Sequence, residues 1–166
     1  NITNDREKLF KMIVKSAVET MSAKGACLFL ATDEQKGRYA AVAMTGISQD
    51  YLHDAAGRMG PHMKILKKDG FTYYRDARKD DRTLDKESMA KEGIASILIV
   101  PVLVNDEMIG ALALYTARIR PFTETEIEFF SLLAEQGGLA IAKAERIANL
   151  RNAIRIFLGL ASSITG

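Results

Sequence analysis

The side chains with the most chemical potential gather in one stretch of this 166-residue chain: Arg75, Asp76, Arg78, Asp80, Asp81 and Arg82. Three guanidinium groups at this spacing could clamp an anionic ligand. Pairing with the interleaved carboxylates is the competing fate and the expected one. His53 and His62 are the only histidines, and Cys27 is the only cysteine. A haem needs an axial ligand, most often histidine. His62 follows Pro61 at a helix start, within residues 46–93 and close to the expected pocket, but a solvent-facing ring is expected there and haem is not. Two histidines and one cysteine do not compose a zinc site of the usual kind, so no metal is expected. Cys27 lies inside an apolar strand pattern, the setting of an inert thiol. The chain carries no Ser-His-Asp set, no phosphate loop and no phosphoacceptor-histidine context. Side-chain catalysis is not expected; binding is.

Composition sets the frame in which those residues must sit. Apolar residues make up 48% and charged residues 27% of the chain, ordinary values for one globular domain. That length buries a sizeable core without staples. The formal net charge is +2, with Lys and Arg scattered among Asp and Glu, so no pull toward nucleic acid or an anionic membrane is implied. Lys64, Lys67 and Lys68 are followed at once by Asp69, which reads as a solvated helix face. A single cysteine excludes an intrachain disulfide and fits a reducing compartment. The N-terminal residues are polar and charged rather than an apolar signal core. No run approaches the ~20 apolar residues of a bilayer span, so no direct membrane insertion is expected and the cytoplasm is the simplest location. The chain starts and stops within helical patterns, as a segment cut from a longer protein would.

Periodicity supplies the elements. Leu9, Phe10, Ile13, Val14, Ala17, Val18 and Met21 recur at spacings of three and four, predicting a helix over residues 5–21. Asn4 or Asp5 would cap it, and Lys24-Gly25 would end it. Strands follow at 26–32 and 38–45, joined by Asp33-Glu34-Gln35-Lys36-Gly37, where Gly37 can take positive φ. Residues 46–93 alternate short helical pieces with glycines: a helix at 48–58 capped by Ser48, one from Pro61 through residue 68, a short strand at 71–74 and a helix at 83–92 stopped by Gly93. Two buried strands at 96–104 and 108–116 flank the tight turn Val104-Asn105-Asp106-Glu107. Pro101 cannot donate to a ladder, which calls for a bulge or a local edge. A long helix begins with the reciprocal capping pair Thr123 and Glu126. If unbroken to residue 158 it runs about 35 residues and roughly 50 Å, more than the domain can cover. Its three-four rhythm continues through Ile147, Arg151, Ile154 and Leu158, and a protruding apolar seam wants a partner.

Loosely tied elements such as those of residues 46–93 wall pockets more often than they build cores. With the sheet face they would present Phe29, Met44, Leu52, Met63 and Phe71, and beyond them Tyr73, Met89, Ile94 and Ser96, to a small molecule. Methionines adapt to irregular ligands, tyrosines offer an apolar body with a polar tip, and Ser96 would orient a ligand through its hydroxyl. The alternative is that these side chains simply form a second core.

Taken in order, several stretches resemble a GAF domain, the small-molecule sensor module of signalling proteins. They are Gly25-Ala26-Cys27-Leu28-Phe29-Leu30, Arg75-Asp76-Ala77 with Asp81-Arg82 downstream, and Glu92-Gly93-Ile94-Ala95-Ser96 running on to Pro101. Ile109-Gly110-Ala111-Leu112, Arg120-Pro121-Phe122-Thr123-Glu124-Thr125-Glu126 and Leu132-Leu133-Ala134-Glu135-Gln136 through Ala144 complete the match. The resemblance implies an α+β fold with a central antiparallel sheet of about six strands. The terminal helices would lie on one face and the short helices on the other, over a ligand cavity. It implies that Asp76 stands where the family tends to keep an aspartate, holding the loop or touching ligand. It also implies a place in a multidomain bacterial signalling protein, a sensor histidine kinase foremost, with cyclic-dinucleotide enzymes and transcription activators as the other settings. Residues 1–148 would be the sensor and residues 149–166 a helical connector, with a homodimer formed through the terminal helices. Photoreceptors of this family attach a bilin through a pocket-segment cysteine, and none occurs in residues 46–93, so a bilin is not expected. The family's methionine sulfoxide reductases use several cysteines, and its cyclic-nucleotide signature needs an Asn-Lys pair that is missing here. The expectation is a non-catalytic sensor relaying ligand state through its terminal helices, or, failing a ligand, a dimerisation and relay module.

Overall fold

The computed structural model describes residues 2–33 and 35–165. Glu34, expected in the first hairpin loop, lies outside the described residues, as do Asn1 and Gly166 at the ends of the two expected segments. In chain order the elements are α1 (Ile2–Met21), β1 (Gly25–Asp33), β2 (Arg38–Thr45), α2 (Gln49–Gly57), α3 (Met59–Asp69) and β3 (Thr72–Tyr74). They continue with α4 (Lys86–Glu92), β4 (Ile97–Val104), β5 (Glu107–Tyr115) and α5 (Glu124–Thr165). One antiparallel sheet carries them in the order β2-β1-β5-β4-β3. The class is the α+β arrangement expected. The sheet has five strands, those the periodicity predicts, rather than the about six the resemblance implies, and residues 75–85 form turns.

Alternation along the strands separates two cores. Leu28, Leu98, Val100, Leu112 and Leu114 face α1 and α5, where Phe10, Val14, Phe130 and Ala134 meet them. Phe29, Ile97, Ile99, Ala113 and Tyr115 face the other way, toward Leu52 of α2 and Met59, Met63 and Leu66 of α3. β1, β4 and β5 therefore bury both faces for most of their length, as the near-continuous apolar character of β4 and β5 required, whereas β2 is mostly half-buried.

Local signals explain most boundaries. Asn105 and Asp106 both adopt positive φ (52° and 64°), the backbone of a primed hairpin turn that Asn and Asp tolerate. Pro101 is paired with Ala111 of β5, but β3 reaches β4 only at Ile97–Ile99, so on its other side Pro101 stands at a local edge where no donor is missed. The bulge lies one residue on, between Val102 and Leu103. α1 starts at Ile2, so Asn4 and Asp5 are inside the helix rather than at its cap. It ends at Met21, with Ser22 rather than Gly25 in the left-handed region. Gly25 answers a different demand: a Cβ there would stand 2.6 Å from the Thr45 carbonyl oxygen. α3 begins at Met59, so Pro61 occupies its first turn.

α5 is one unbroken helix of 42 residues, about 63 Å long. Thr123 and Glu126 form the capping pair: Glu126 N donates to Thr123 Oγ1 (3.1 Å) and Thr123 N to Glu126 Oε1 (3.2 Å). Gly138 allows α5 to lie close on β4, since a Cβ there would come within 2.6 Å of the Leu103 oxygen. From residue 149 to residue 160 every position is exposed, Leu150, Ile154, Phe157 and Leu160 included. Among the described residues no helix is long and apolar enough to cross a membrane.

Candidate functional site

Between the α2–α4 layer and the sheet lies a cleft with about 660 Å³ of empty space, counting the part open to solvent. The room that the centre of a water molecule can reach is about 70 Å³. That is room for a few waters, each of which needs at least roughly 10–15 Å³. The sheet contributes Phe29, Ile97, Ile99 and Tyr115 as a floor. Tyr51, Ala55 and Arg58 come from α2 and its C-cap, Met59 and His62 from α3. Arg82, Thr83, Ser88 and Met89 close the far side.

The polar groups of the wall are tied to one another. Arg82 donates through Nε and Nη2 to Asp80 (2.9 and 2.8 Å) and through Nη2 to the Tyr73 carbonyl (2.7 Å). Its guanidinium carbon stands 4.2 Å from the centre of the Tyr74 ring, a cation–π contact. Tyr74 Oη in turn lies 3.3 Å from His62 Nδ1. Burial pushes the His62 pKa down, and the neighbouring Arg82 charge adds to it. The Arg82 hydrogen bond holds the Asp80 carboxyl below its usual range. Tyr51 donates to Met89 Sδ (3.2 Å) and meets Tyr115 edge to face at 5.9 Å. Burial raises the pKa of both phenols, so they stay protonated. Across the mouth, Arg58 and Asp85 approach only to 4.0 Å. Thr83 Oγ1 is buried and has no hydrogen-bond partner among the described residues.

Of the residues expected to form a pocket, Phe29 and Met89 line this cleft. Leu52, Met63 and Ile94 lie in the buried cluster around it rather than in its wall. Met44 borders a groove beside α1, and the exposed Phe71 borders a shallow groove against the start of α5. Tyr73 points to the opposite core, packs edge to face on Phe122 at 5.7 Å, and donates to the Arg120 carbonyl (2.5 Å). Asp76 accepts from Arg78 Nε (3.0 Å), the bond that chiefly lowers its pKa, and from Arg78 N (3.2 Å), which forms the turn. Ser96 is fully buried; its hydroxyl donates to the Arg75 carbonyl (2.5 Å) and accepts from Arg120 N (2.8 Å). His62 is partly buried in the wall instead of facing solvent, whereas His53 is exposed. Cys27 is buried in β1 with its thiol pKa pushed up. Among the described residues no three His, Cys, Asp or Glu side chains gather as a metal site.

Arg120 joins the parts. Its guanidinium donates to the Met21 carbonyl at the end of α1 and to Glu126 Oε2 (2.6 Å) in the first turn of α5. Its backbone binds Ser96 and Tyr73. Since Arg82 holds the Tyr73 carbonyl, a continuous set of bonds runs from the cleft wall to both terminal helices.

Comparison with known proteins points one way. A family profile described as GAF domain matches residues 3–142. No curated protein matches the chain. Among solved structures, a domain described as that of a two-component sensor histidine kinase protein from Sinorhizobium meliloti superposes with a TM-score of 0.74 at 23% identity, covering 87% of this chain and 96% of that one. The blue-light absorbing form of the Thermosynechococcus elongatus PixJ GAF domain gives 0.69 at 21% identity, with 93% of each chain covered. The GAF domain of a phosphoenolpyruvate-protein phosphotransferase from Coxiella burnetii gives 0.68 at 20% identity, with 89% and 92% covered.

Proposed function

The chain belongs to the GAF domain family, and we propose that it is a non-catalytic sensor module of a larger signalling protein. A small molecule enters the cleft beneath α2, α3 and α4 and favours one of two packings of that layer. The Arg82–Tyr73–Arg120 bonds pass the change to the end of α1 and the start of α5. Residues 1–148 form the sensing body, and residues 149–166 are a connector toward an output domain. The observation that carries this reading is the bonded path from the cleft wall to both terminal helices on the opposite face. A ligand can bias such an equilibrium only by its difference in affinity for the two states, and ~1.4 kcal/mol shifts it tenfold.

The exposed part of α5 supports a homodimer. Ile147, Leu150, Ile154, Phe157, Ala161 and Ile164 follow alternating spacings of three and four, the seam of a two-stranded coiled coil. A cytoplasmic setting suits the unpaired thiol of Cys27. A ligand-free relay module is the second reading. It is favoured by the small closed volume and by Leu52, Met63 and Ile94 filling the core around it. A panel of metabolites scored by thermal midpoint separates the two. The sensor reading expects at least one compound to raise the midpoint of the native chain and to lose that effect in Ala55→Trp, which fills the cleft. If no compound does so, the relay reading stands.

A further inference from the structure

Resting on the sensor reading, we infer that the cleft takes a small aromatic anion: a single planar ring carrying one carboxylate. The shape argument comes from the walls. Phe29 and Tyr115 of the floor and Tyr51 of α2 supply aromatic rings, and Met59 and Met89 beside them supply deformable thioethers. The closed room of about 70 Å³ is under half of the roughly 150 Å³ that houses a benzene ring, so only the ring's inner edge enters it and the carboxylate stays in the open mouth of the cleft.

The charge argument comes from the rim. Arg58 and Arg82 both line the cleft, and Asp54 is the one carboxylate that does. Arg82 uses Nε and Nη2 on Asp80 and the Tyr73 carbonyl, and Nη1 takes part in none of these bonds. Arg58 has only the 4.0 Å approach to Asp85, too long for a hydrogen bond. Donors are thus available on both sides of the mouth. Thr83, next in the chain to Arg82, also lines the cleft, and its hydroxyl is buried with no partner among the described residues, a donor that a small side-chain rotation would turn toward the mouth. A carboxylate accepts from a guanidinium and a hydroxyl at once, whereas a neutral amide of the same shape brings its own donors toward cations.

Benzoate and benzamide are the probes, titrated into the whole chain and followed by the methyl signals of Met59 and Met89. The inference expects saturable shifts of both methyls with benzoate and at least tenfold weaker binding of benzamide. Raising salt should weaken benzoate alone. Arg82→Gln should abolish the preference. Because that variant also loses the Tyr73 and Asp80 bonds and could fail to fold, Arg58→Gln, which breaks only the long contact, is the second arm and should cut the preference at least threefold. Equal or tighter binding of benzamide overturns the anion assignment. Failure of both probes overturns it as well. In either case the metabolite panel decides the sensor reading separately: a neutral or non-aromatic compound that needs the open cleft would leave sensing intact while this assignment falls.

Discussion

At the scale of single residues, the side chains that matter most are those that serve two elements at once. Arg120 is the clearest. α1 has no basic residue in its last turn, and the Arg120 guanidinium reaches across to the Met21 carbonyl in its place. Arg120→Ala removes that bond and the charge-assisted one to Glu126, and should lower unfolding free energy by about 2–4 kcal/mol, at ~1.5–3 kcal/mol for each hydrogen bond to a charged group with partial exposure discounted. Tyr73→Phe removes one hydroxyl bond and should cost only about 1 kcal/mol. Urea denaturation of the two variants checks both the order and the sizes. His62 gives a pH signature. Its pKa is lowered on folding, so the unfolded chain binds the extra proton first. The stability this group lends is fully present above the unfolded value of about 6.5 and is lost as pH falls through the lower folded value. The Asp80 carboxyl, also lowered, acts only further down in pH. Urea midpoints at pH 7.5 and 5.5 should therefore fall more in the native chain than in His62→Gln; equal falls would remove His62 from the account.

At the scale of elements, two adjacent glycines on α5 make opposite predictions. A Cβ on Gly138 would meet the Leu103 carbonyl at 2.6 Å, backbone that cannot yield, so Gly138→Ala should destabilise by ~1–3 kcal/mol as α5 is pushed off β4. A Cβ on Gly137 would make ordinary contact with Ile13 at 3.5 Å, so Gly137→Ala should stabilise by up to ~1 kcal/mol through helix propensity. Thermal unfolding of the pair reads the difference. Elements were largely legible in the sequence because their signals are local: Ser48 accepts from Tyr51 N (3.2 Å), Gly70 and Gly93 end helices in the left-handed region, and the Thr123–Glu126 box opens α5. The cleft was less legible because its wall depends on parity and tilt. Tyr73 and Tyr74 are neighbours in a three-residue strand and must point to opposite faces, with nothing within the strand to say which. Counting back from the Asn105-Asp106 turn without a bulge would pair Ser96 with Tyr115. The bulge at Val102/Leu103 shifts the register by one and gives Tyr115 to Ile97. Such a bulge leaves no mark in an apolar run. On α2, Leu52 and Tyr51 are adjacent, and only the tilt of the helix makes Leu52 core and Tyr51 wall.

At the scale of the whole molecule, the sheet divides two jobs. One face holds a cleft with short, loosely joined covers, and the other seats α1 and α5, of which α5 runs on beyond the body. The exposed seam on α5 gives the prediction for assembly. Replacing Ile147 and Ile154 with Asp puts charge at the centre of the proposed coiled coil and should raise the dimer dissociation constant at least tenfold in sedimentation equilibrium, with the circular dichroism of the sheet unchanged. An unchanged dimer would move the interface elsewhere.

Native mass spectrometry of freshly purified protein bears most directly on the central claim that the cleft is a ligand site, since it weighs small molecules and counts copies together. The account predicts a two-copy species with added small-molecule mass in the native chain and loss of that mass, but not of the second copy, in Ala55→Trp. Bare chain mass in both, with no compound of the metabolite panel adding to either, would contradict it.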